Sequence, residues 1–331
     1  MNASNMIRLD STENPYGMPE AAIKAINQLL INDPHSLSRY AGYYDDYNDL
    51  KKAWAEKANT ESENIVCANG SNAMLAHIFE SLFKKGMKVL TPELTYFMYL
   101  QWAKRLERDL IKVQLDKDLK INVEDYKNAE AIVIANPNNP TGIALSLCEI
   151  EQLLKNNPNG IVVIDEAFID FSNQQSATEL LSKYPNLLVV QTMSKYHGFA
   201  GCRVGYGITG NSNYLATIKD ARDTFNPSPI GAIESVAAQA AIADPQDAKL
   251  KRNKIIATRA RISQELGCPD TEASFLLWQV PKAEQLFSHL KERGTLVTHL
   301  KHPRLFSHLR VGISTDENMD IFLDQVREFQ N

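Results

Sequence analysis

A repeated pattern of short apolar runs and helical segments between Asn64 and Thr192 constrains the fold of this chain most. The apolar runs are predicted strands and cover residues 64–68, 88–91, 131–135, 161–164 and 187–190. The segments between them carry apolar residues at helical spacing, for example Met74, Leu75, Ile78, Phe79 and Leu82. Strands that alternate with helices in this way form a mostly parallel sheet with helices on both faces. We therefore predict an α/β fold.

The residues that follow these strands are chemically distinctive. In chain order they are Gly70 with Ser71, Tyr96, Asn139, Asp165 and Lys195. In an open α/β sheet the carboxyl ends of the strands lie along one edge, where ligands bind. We therefore expect these side chains to converge on one site.

Lys195 follows the apolar run 187–190 and precedes a glycine-containing loop that carries Arg203. A lone amine in such a place is a candidate nucleophile for a Schiff base. A solvated surface lysine is the commoner case, because lysine is almost never fully buried unless it is paired. Asp165 ends a continuous apolar strand, where a carboxylate is costly without a partner, so we expect a cation near it.

The turn NGSN at residues 69–72 has two interpretations. Gly70 would let an anion approach the backbone, Ser71 and Asn72 would add donors, and a helix that begins here would present unpaired amides. This arrangement is typical of a phosphate site. An ordinary capped helix start explains the same residues.

The length of 331 residues exceeds that of one compact core, so we expect one large and one smaller domain. We predict a large domain at residues 36–225 and a small α+β domain at residues 226–331. Residues 1–35 would form a lead that contributes to the small domain. The segment FNPSPIG at residues 225–231 is a candidate hinge.

The composition argues against several classes of protein. The net charge of −5 and the absence of a basic block argue against binding to nucleic acid. The sequence has no signal-peptide pattern and no run of about 18 apolar residues, so we expect a cytoplasmic protein without a membrane segment. The cysteines include no CxxC pair and indicate neither a zinc site nor a disulfide framework.

A loop at residues 35–50 is unusually rich in tyrosine and contains Tyr40, Tyr43, Tyr44 and Tyr47. So dense an aromatic loop is usually an interface or the wall of a ligand site, because each ring offers apolar area and a hydroxyl that needs a partner. We therefore expect this loop to contact a ligand or another protein surface.

Together these groups meet the needs of one cofactor, pyridoxal phosphate. A lysine forms the imine, and a carboxylate keeps the pyridine nitrogen protonated so that the ring accepts electrons. The glycine turn, Ser194 and Arg203 would bind the phosphate, and a tyrosine would stack on the ring. The set requires no metal ion.

Eight short motifs connect these groups: ENPYG at residues 13–17, RY at 39–40, NGSNAM at 69–74, TY at 95–96, NPNNPTG at 136–142, DEAF at 165–168, TMSKYHGFAGCRVG at 192–205 and LRVG at 309–312. Through these motifs the sequence resembles the fold-type I aminotransferases over essentially its whole length, and within them the histidinol-phosphate aminotransferase group. The order and spacing of the motifs match that family too. The resemblance implies a large domain with a mostly parallel sheet and a smaller α+β domain.

The resemblance also implies roles for the residues around the cofactor. Lys195 would be the Schiff-base lysine and proton shuttle, Asp165 would pair with the pyridinium, and Asn139 would bond the ring O3′. Tyr96 would stack on the ring. The cofactor phosphate would be held by Gly70, Ser71, Asn72, Ser194 and Arg203.

Three more residues have roles by the same resemblance. Tyr40 would reach the phosphate of the cofactor in a neighbouring subunit, which implies a homodimer. Tyr16 and Arg310 would face the substrate.

Two positions depart from the family's pattern. Where relatives usually have DEAY, with a tyrosine that bonds the ring O3′, this chain has Phe168, and Tyr196 or His197 could replace that donor. Histidinol-phosphate enzymes commonly carry a second arginine for the substrate phosphate on the strand before the LR motif, whereas this chain has LVTHLKH at residues 296–302. The residues that could substitute are His299, Lys301, His302 and Arg304.

The resemblance implies a transaminase that moves an amino group between glutamate and a phosphorylated or acidic keto compound, of the histidinol-phosphate type and hence in histidine biosynthesis. A decarboxylase of the threonine-phosphate type and an aminotransferase for another amino acid are the alternatives. A DNA-binding regulator with this fold carries a helix-turn-helix domain in front. We do not expect one here, because only about sixty residues, none of them a basic winged segment, precede the first predicted strand.

Overall fold

The computed structural model describes residues 6–330, so residues 1–5 and 331 of the predicted domains lie outside the described part. No helix within residues 6–330 is both long enough and apolar enough to cross a membrane. The α-helices are α1 (Glu20–Asn32), α2 (Asn48–Ala58), α3 (Gly70–Ser81), α4 (Phe97–Arg105), α5 (Leu147–Asn156), α6 (Ser212–Phe225), α7 (Ala232–Ala243), α8 (Gln246–Leu266), α9 (Ala283–Glu292) and α10 (Asp316–Gln330).

The strands form a large sheet and two smaller ones. In chain order they are β1 (Ile7–Arg8), β2 (Ile65–Asn69), β3 (Lys88–Pro92), β4 (Asp109–Val113), β5 (Ala131–Ala135), β6 (Ile161–Asp165), β7 (Leu187–Thr192), β8 (Val204–Ile208), β9 (Phe275–Gln279), β10 (Thr295–Leu296), β11 (Thr298–His299) and β12 (His308–Gly312). The large sheet has the strand order β2-β8-β7-β6-β5-β3-β4.

The large sheet is parallel from β7 to β4, and only β8 runs against its neighbours. Because β8 is antiparallel to both β2 and β7, those two strands point in the same direction. All five strands predicted from the sequence therefore end at one edge. The predicted mostly parallel α/β sheet is confirmed.

Two strands of this sheet were not anticipated from the sequence. Strand β8 contains Gly205 and Gly207, which weaken the strand signal although the strand is fully buried. Strand β4 lies at the edge of the sheet and is largely exposed, so it lacks the apolar run that marks the inner strands.

Helices cover both faces of the large sheet, as predicted. On one face Met74, Leu75 and Ile78 of α3 pack with Val163 and Leu188 of the sheet. On the other face the neighbouring strand residues, which point the opposite way, meet helices α2, α5 and α7 through the buried residues Trp54, Ile150, Leu153, Ala237 and Ala238.

The C-terminal part forms an antiparallel sheet with the order β11-β12-β9, and its apolar residues pack with helices α8, α9 and α10 in a separate cluster. Strand β1 pairs with β10 beside this sheet. Helix α7 follows the predicted boundary at residues 225/226 yet packs in the cluster of the large sheet. The division into residues 1–35, 36–225 and 226–331 stays a prediction.

The start of α3 lies directly against strand β8 at Gly205. A Cβ atom built at Gly205 would overlap the carbonyl carbon of Gly70 and the amide nitrogen of Ser71. Both overlapping groups are backbone, so neither can rotate away as a side chain could. The glycine therefore allows the first turn of α3 to lie at the edge where the strands end.

We expect Gly205→Ala to lower the free energy of unfolding by about 1–3 kcal/mol, because the added methyl group displaces the start of α3. Gly201→Ala is the matched control, since a Cβ atom there would meet no atom within 4 Å. Urea denaturation of the two variants beside the wild type measures the difference. Equal stability of both variants would contradict the close packing of β8 on α3.

Candidate active site

The groups that follow the five predicted strands line one cavity of about 400 Å³. Ser71, Tyr96, Asn139, Asp165 and Lys195 all contribute to its wall. Further lining residues come from helix α3, from the loop before β8, from β12 and from the N-terminal segment; they include Asn72, Ser194, Arg203, Arg310 and residues 10–13. Gly70 lies behind this wall, where a Cβ atom would approach Arg203 Nη2 to 2.5 Å.

Asp165 is buried and has one oxygen with a partner and one without. Its Oδ2 accepts a hydrogen bond of 2.7 Å from the hydroxyl of Tyr99, whereas Oδ1 is buried with no partner among the described residues. Burial raises the pKa of Asp165 to about 6, and the Tyr99 hydrogen bond opposes this rise. A donor that reached Oδ1 would stabilise the carboxylate form.

Sequence reasoning missed Tyr99, although one signal pointed to it. Tyr99 lies in helix α4, three residues after Tyr96, so both rings extend from the same side of the helix. The rings meet edge to face with their centroids 5.7 Å apart. Tyr96 lines the cavity, whereas Tyr99 lies outside its lining and donates its hydroxyl proton to Asp165.

The amine of Lys195 is surrounded by oxygen atoms of the N-terminal segment. Nζ donates to the carbonyl of Ser11 at 2.9 Å, to the carbonyl of Thr12 at 3.2 Å and to the hydroxyl of Thr12 at 2.8 Å. Burial and, as a smaller contribution, the charge of the nearby Arg310 together lower the pKa of Lys195 to about 8. An amine with this pKa can accept and release a proton near neutral pH.

One corner of the cavity combines several groups that can donate hydrogen bonds to an anion. The hydroxyl of Ser194 accepts a bond of 3.3 Å from Arg203 Nη1, which also donates to the carbonyl of Ala200 at 3.0 Å. The first residues of α3, Ser71 and Asn72, complete the corner with backbone amides at a helix start. A guanidinium, hydroxyls and the amides of a helix start are groups that bind phosphate in proteins.

Arg310, in strand β12, also lines the cavity. Nη1 donates to Asn139 Oδ1 at 2.8 Å, and Nη2 donates to the carbonyl of Asp10 at 2.6 Å and to Thr298 Oγ1 at 3.2 Å. Its Nε is buried and has no partner within residues 6–330. A buried guanidinium donor without an acceptor is costly, and a carboxylate or a phosphate is the kind of group that satisfies a guanidinium best.

Two residues with predicted roles do not line this cavity. The ring of Tyr16 lies under Lys254, whose Nζ is 5.3 Å from the ring centroid, and it packs with the C-terminal cluster. Tyr40 is 81% exposed, away from the cavity of its own chain. Their predicted contacts with substrate and with a second subunit stay predictions.

The possible substitutes for the second arginine do not reach the cavity either. Arg304 forms an ion pair with Glu93 and also donates to the carbonyls of Leu115 and Asp116. His299 is bonded to the carbonyl of Phe306 at 2.9 Å. The set of His299, Lys301, His302 and Arg304 is absent from the cavity wall, so the suggested substitution has no support from the geometry.

Phe168 does line the cavity, and Lys195 Nζ lies 5.6 Å from the centroid of its ring. The suggested replacement donors do not. Tyr196 packs against Phe171, and His197 is buried beside Tyr196 and Trp54. The structure thus offers neither side chain as a donor at the position of Phe168.

Comparison with known proteins places the chain in a family. Residues 4–326 match the family model of class I and II aminotransferases. The chain is 38% identical to a histidinol-phosphate aminotransferase of Brachyspira hyodysenteriae over 98% of this chain and 92% of that protein. It is 36% identical to the enzyme of the same name from Gluconacetobacter diazotrophicus over 97% of this chain and 90% of that protein.

Solved structures share the fold. The histidinol-phosphate aminotransferase of Clostridium acetobutylicum superposes with a TM-score of 0.88 at 24% identity, covering 98% of this chain and 99% of that chain. A complex of the Sinorhizobium meliloti enzyme with pyridoxal 5′-phosphate superposes with a TM-score of 0.86 at 22% identity, covering 98% of this chain and 91% of that chain. Because the family model matches residues 4–326 and relatives of that family are 36–38% identical over nearly the whole length, the chain belongs to the class I and II aminotransferases.

Proposed function

We propose that the protein is a pyridoxal-phosphate-dependent aminotransferase that moves an amino group between glutamate and a phosphorylated or acidic keto compound, of the histidinol-phosphate type. The observation that carries the proposal is the convergence of Lys195, Asp165, Arg203 and Arg310 on one cavity. Each supplies a different requirement of amino transfer: an amine, a buried carboxylate, a site for the cofactor phosphate and a site for the substrate's acid.

The residues present fit pyridoxal phosphate. The unpartnered Oδ1 of Asp165 can accept a hydrogen bond from a protonated pyridine nitrogen, and the corner made by Ser194, Arg203 and the start of α3 can hold the phosphate. Asn139 and Tyr96 line the same cavity. When bound, the cofactor supplies an electron sink for the substrate carbon that exchanges its amino group.

Lys195 is placed to move protons in this reaction. Its amine lies in the cavity with a pKa of about 8, so at neutral pH a useful fraction is unprotonated. Asp165 has the complementary role, because a carboxylate on the pyridine nitrogen keeps that nitrogen protonated. Lys195 would therefore carry the proton that moves during the reaction, whereas Asp165 would keep the proton of the pyridine nitrogen in place.

Arg310 determines which substrates the cavity accepts. On the cavity wall of the described residues, the cationic side chains are Lys195, Arg203 and Arg310, and Arg203 belongs to the phosphate corner. Strand β11 carries Thr298 opposite Arg310, and its hydroxyl bonds that guanidinium. The acidic groups of both substrates, the carboxylate of glutamate and the acid of the keto compound, would therefore bind in turn at Arg310.

The protein is proposed to act as a homodimer through its tyrosine loop. Tyr40, Tyr43 and Tyr44 are 81%, 56% and 97% exposed, and their rings contact one another. Such a group of exposed rings is typical of an interface. Tyr47 differs, because it is buried and its hydroxyl donates to the backbone carbonyl of Ile230.

Three further assignments remain predictions. We assign Tyr40 to the cavity of the second subunit and Tyr16 to the substrate side of its own cavity. We also predict a cytoplasmic location.

The threonine-phosphate decarboxylase alternative shares the fold. A solved enzyme of that name from Porphyromonas gingivalis superposes with a TM-score of 0.81 at 18% identity, covering 98% of this chain and 99% of that chain. The two reactions differ in their products, because a decarboxylase releases carbon dioxide and a transaminase forms a keto acid. Product analysis therefore separates them.

We expect the cofactor-loaded protein to convert stoichiometric glutamate to 2-oxoglutarate in a single half-reaction, and histidinol phosphate to its keto product, without release of carbon dioxide. Lys195→Ala should lose at least about a hundredfold in rate, because proton transfer is removed. Lys291→Ala, which changes an exposed lysine of α9, is the matched control. Carbon dioxide from threonine phosphate, or full activity of Lys195→Ala, would contradict the proposal.

We expect Tyr99→Phe to destabilise the cofactor-free chain more at pH 8 than at pH 5. The folded pKa of Asp165, about 6, lies above the ordinary value of 3.8, so this group lowers stability as pH rises through that range. Above pH 6 Asp165 is a carboxylate, and a hydrogen bond from Tyr99 to this charged acceptor contributes about 1.5–3 kcal/mol to stability. Below pH 6 Asp165 is neutral, and the same hydrogen bond contributes about 1 kcal/mol.

Urea denaturation at both pH values measures this effect. Tyr126→Phe is the control, because the hydroxyl of Tyr126 is buried without a partner in the described part of the chain and no carboxylate depends on it. A loss in Tyr99→Phe that is the same at both pH values would show that Tyr99 does not support the charge of Asp165.

A further inference from the structure

Thr12 has a backbone conformation that is rare for its residue type. Its φ is +52°, in the left-handed region, and the residue is only 5% exposed. A residue branched at Cβ is a genuine outlier there, and such conformations persist only where the surrounding structure holds them. Glycine or asparagine would adopt this φ at lower cost. The cost of this conformation therefore indicates that the threonine side chain has a specific role at this position.

The hydroxyl of Thr12 contacts the amine of Lys195. Oγ1 donates its single proton to the carbonyl of Ser11 at 2.7 Å and so acts as the acceptor for Lys195 Nζ at 2.8 Å. The carbonyls of Ser11 and Thr12 accept from the same amine at 2.9 Å and 3.2 Å. The three acceptors thus match the three protons of an ammonium group.

We propose that Thr12 is a positioning residue for Lys195, whose ε-amine it holds in the cavity whenever that amine is not joined to the cofactor. The inference rests on the proposed function, in which Lys195 must be free for part of each cycle. A free lysine side chain has several rotatable bonds and would otherwise sample many positions. The hydroxyl of Thr12 restricts it to the place where protons are exchanged.

Several charged groups around Lys195 also affect the pKa of its amine. Arg310 and Arg203 disfavour the ammonium form, Glu13 favours it, and Asp10 and Asp165 line the same cavity. These groups remain when Thr12 is changed. Because the hydroxyl accepts a hydrogen bond from the ammonium, its removal should lower the pKa of the amine below the value of about 8.

The test is the rate at which the full-length chain, freed of cofactor, captures added pyridoxal phosphate, followed by absorbance across roughly pH 6–10. Capture requires the unprotonated amine, so the midpoint of the rate profile reports the pKa of free Lys195. We expect the wild type and Thr12→Ser to share a midpoint near 8. The midpoint of Thr12→Val should fall by about one pH unit.

Thr12→Gly separates the hydroxyl from the backbone conformation, because glycine adopts positive φ without strain. Thr12→Gly should lower the midpoint of the rate profile as Thr12→Val does. If Thr12→Val does not fold, the midpoint of Thr12→Gly alone tests the role of the hydroxyl. A wild-type midpoint in Thr12→Gly, or an equal shift in Thr12→Ser, would overturn the role of the hydroxyl. A wild-type chain that captures no cofactor would overturn the proposed function itself.

Discussion

The site depends on a buried carboxylate at the end of an apolar strand. Asp165 closes β6, whose residues 162–164 are fully buried, and a charge in such a place requires hydrogen bonds or a cation. The protein supplies one bond, from Tyr99, and leaves the other oxygen unpartnered within the described residues. Tyr99 is in turn fixed by packing against Phe79 and Trp102. The sheet and α4 thus create an acceptor that a protonated pyridine nitrogen would satisfy.

The second constraint is that the cavity is assembled from parts of the chain that are far apart in sequence. Arg310 of the C-terminal sheet bonds Asn139, in the loop after β5, and the carbonyl of Asp10, while Lys195 bonds Ser11 and Thr12. The same guanidinium that would bind the substrate's acid therefore connects the N-terminal segment, the loop after β5 and the C-terminal sheet. In the proposed function, a substrate that binds at Arg310 would compete for these bonds, and recognition would then be linked to the position of the segment that contacts Lys195.

The sequence predicted the edge of the sheet well, because polar residues after apolar runs mark strand ends directly. Gly70, Tyr96, Asn139, Asp165 and Lys195 were placed in this way. The contacts of Ser11 and Thr12 were not predictable, since they join residues more than 180 positions apart through backbone carbonyls that any residue carries. Strand β8 was missed because it contains glycines, which have low strand propensity but allow the strand to pack closely on α3.

The identity of the lysine is the central claim, and it can be tested directly. Borohydride reduction of the cofactor-loaded protein fixes the cofactor to its lysine, and peptide mapping then locates the labelled residue. The account predicts a label on Lys195 and on no other lysine. A label on a different lysine would contradict the assignment of the cavity, and with it the roles given to Asp165, Arg203 and Arg310.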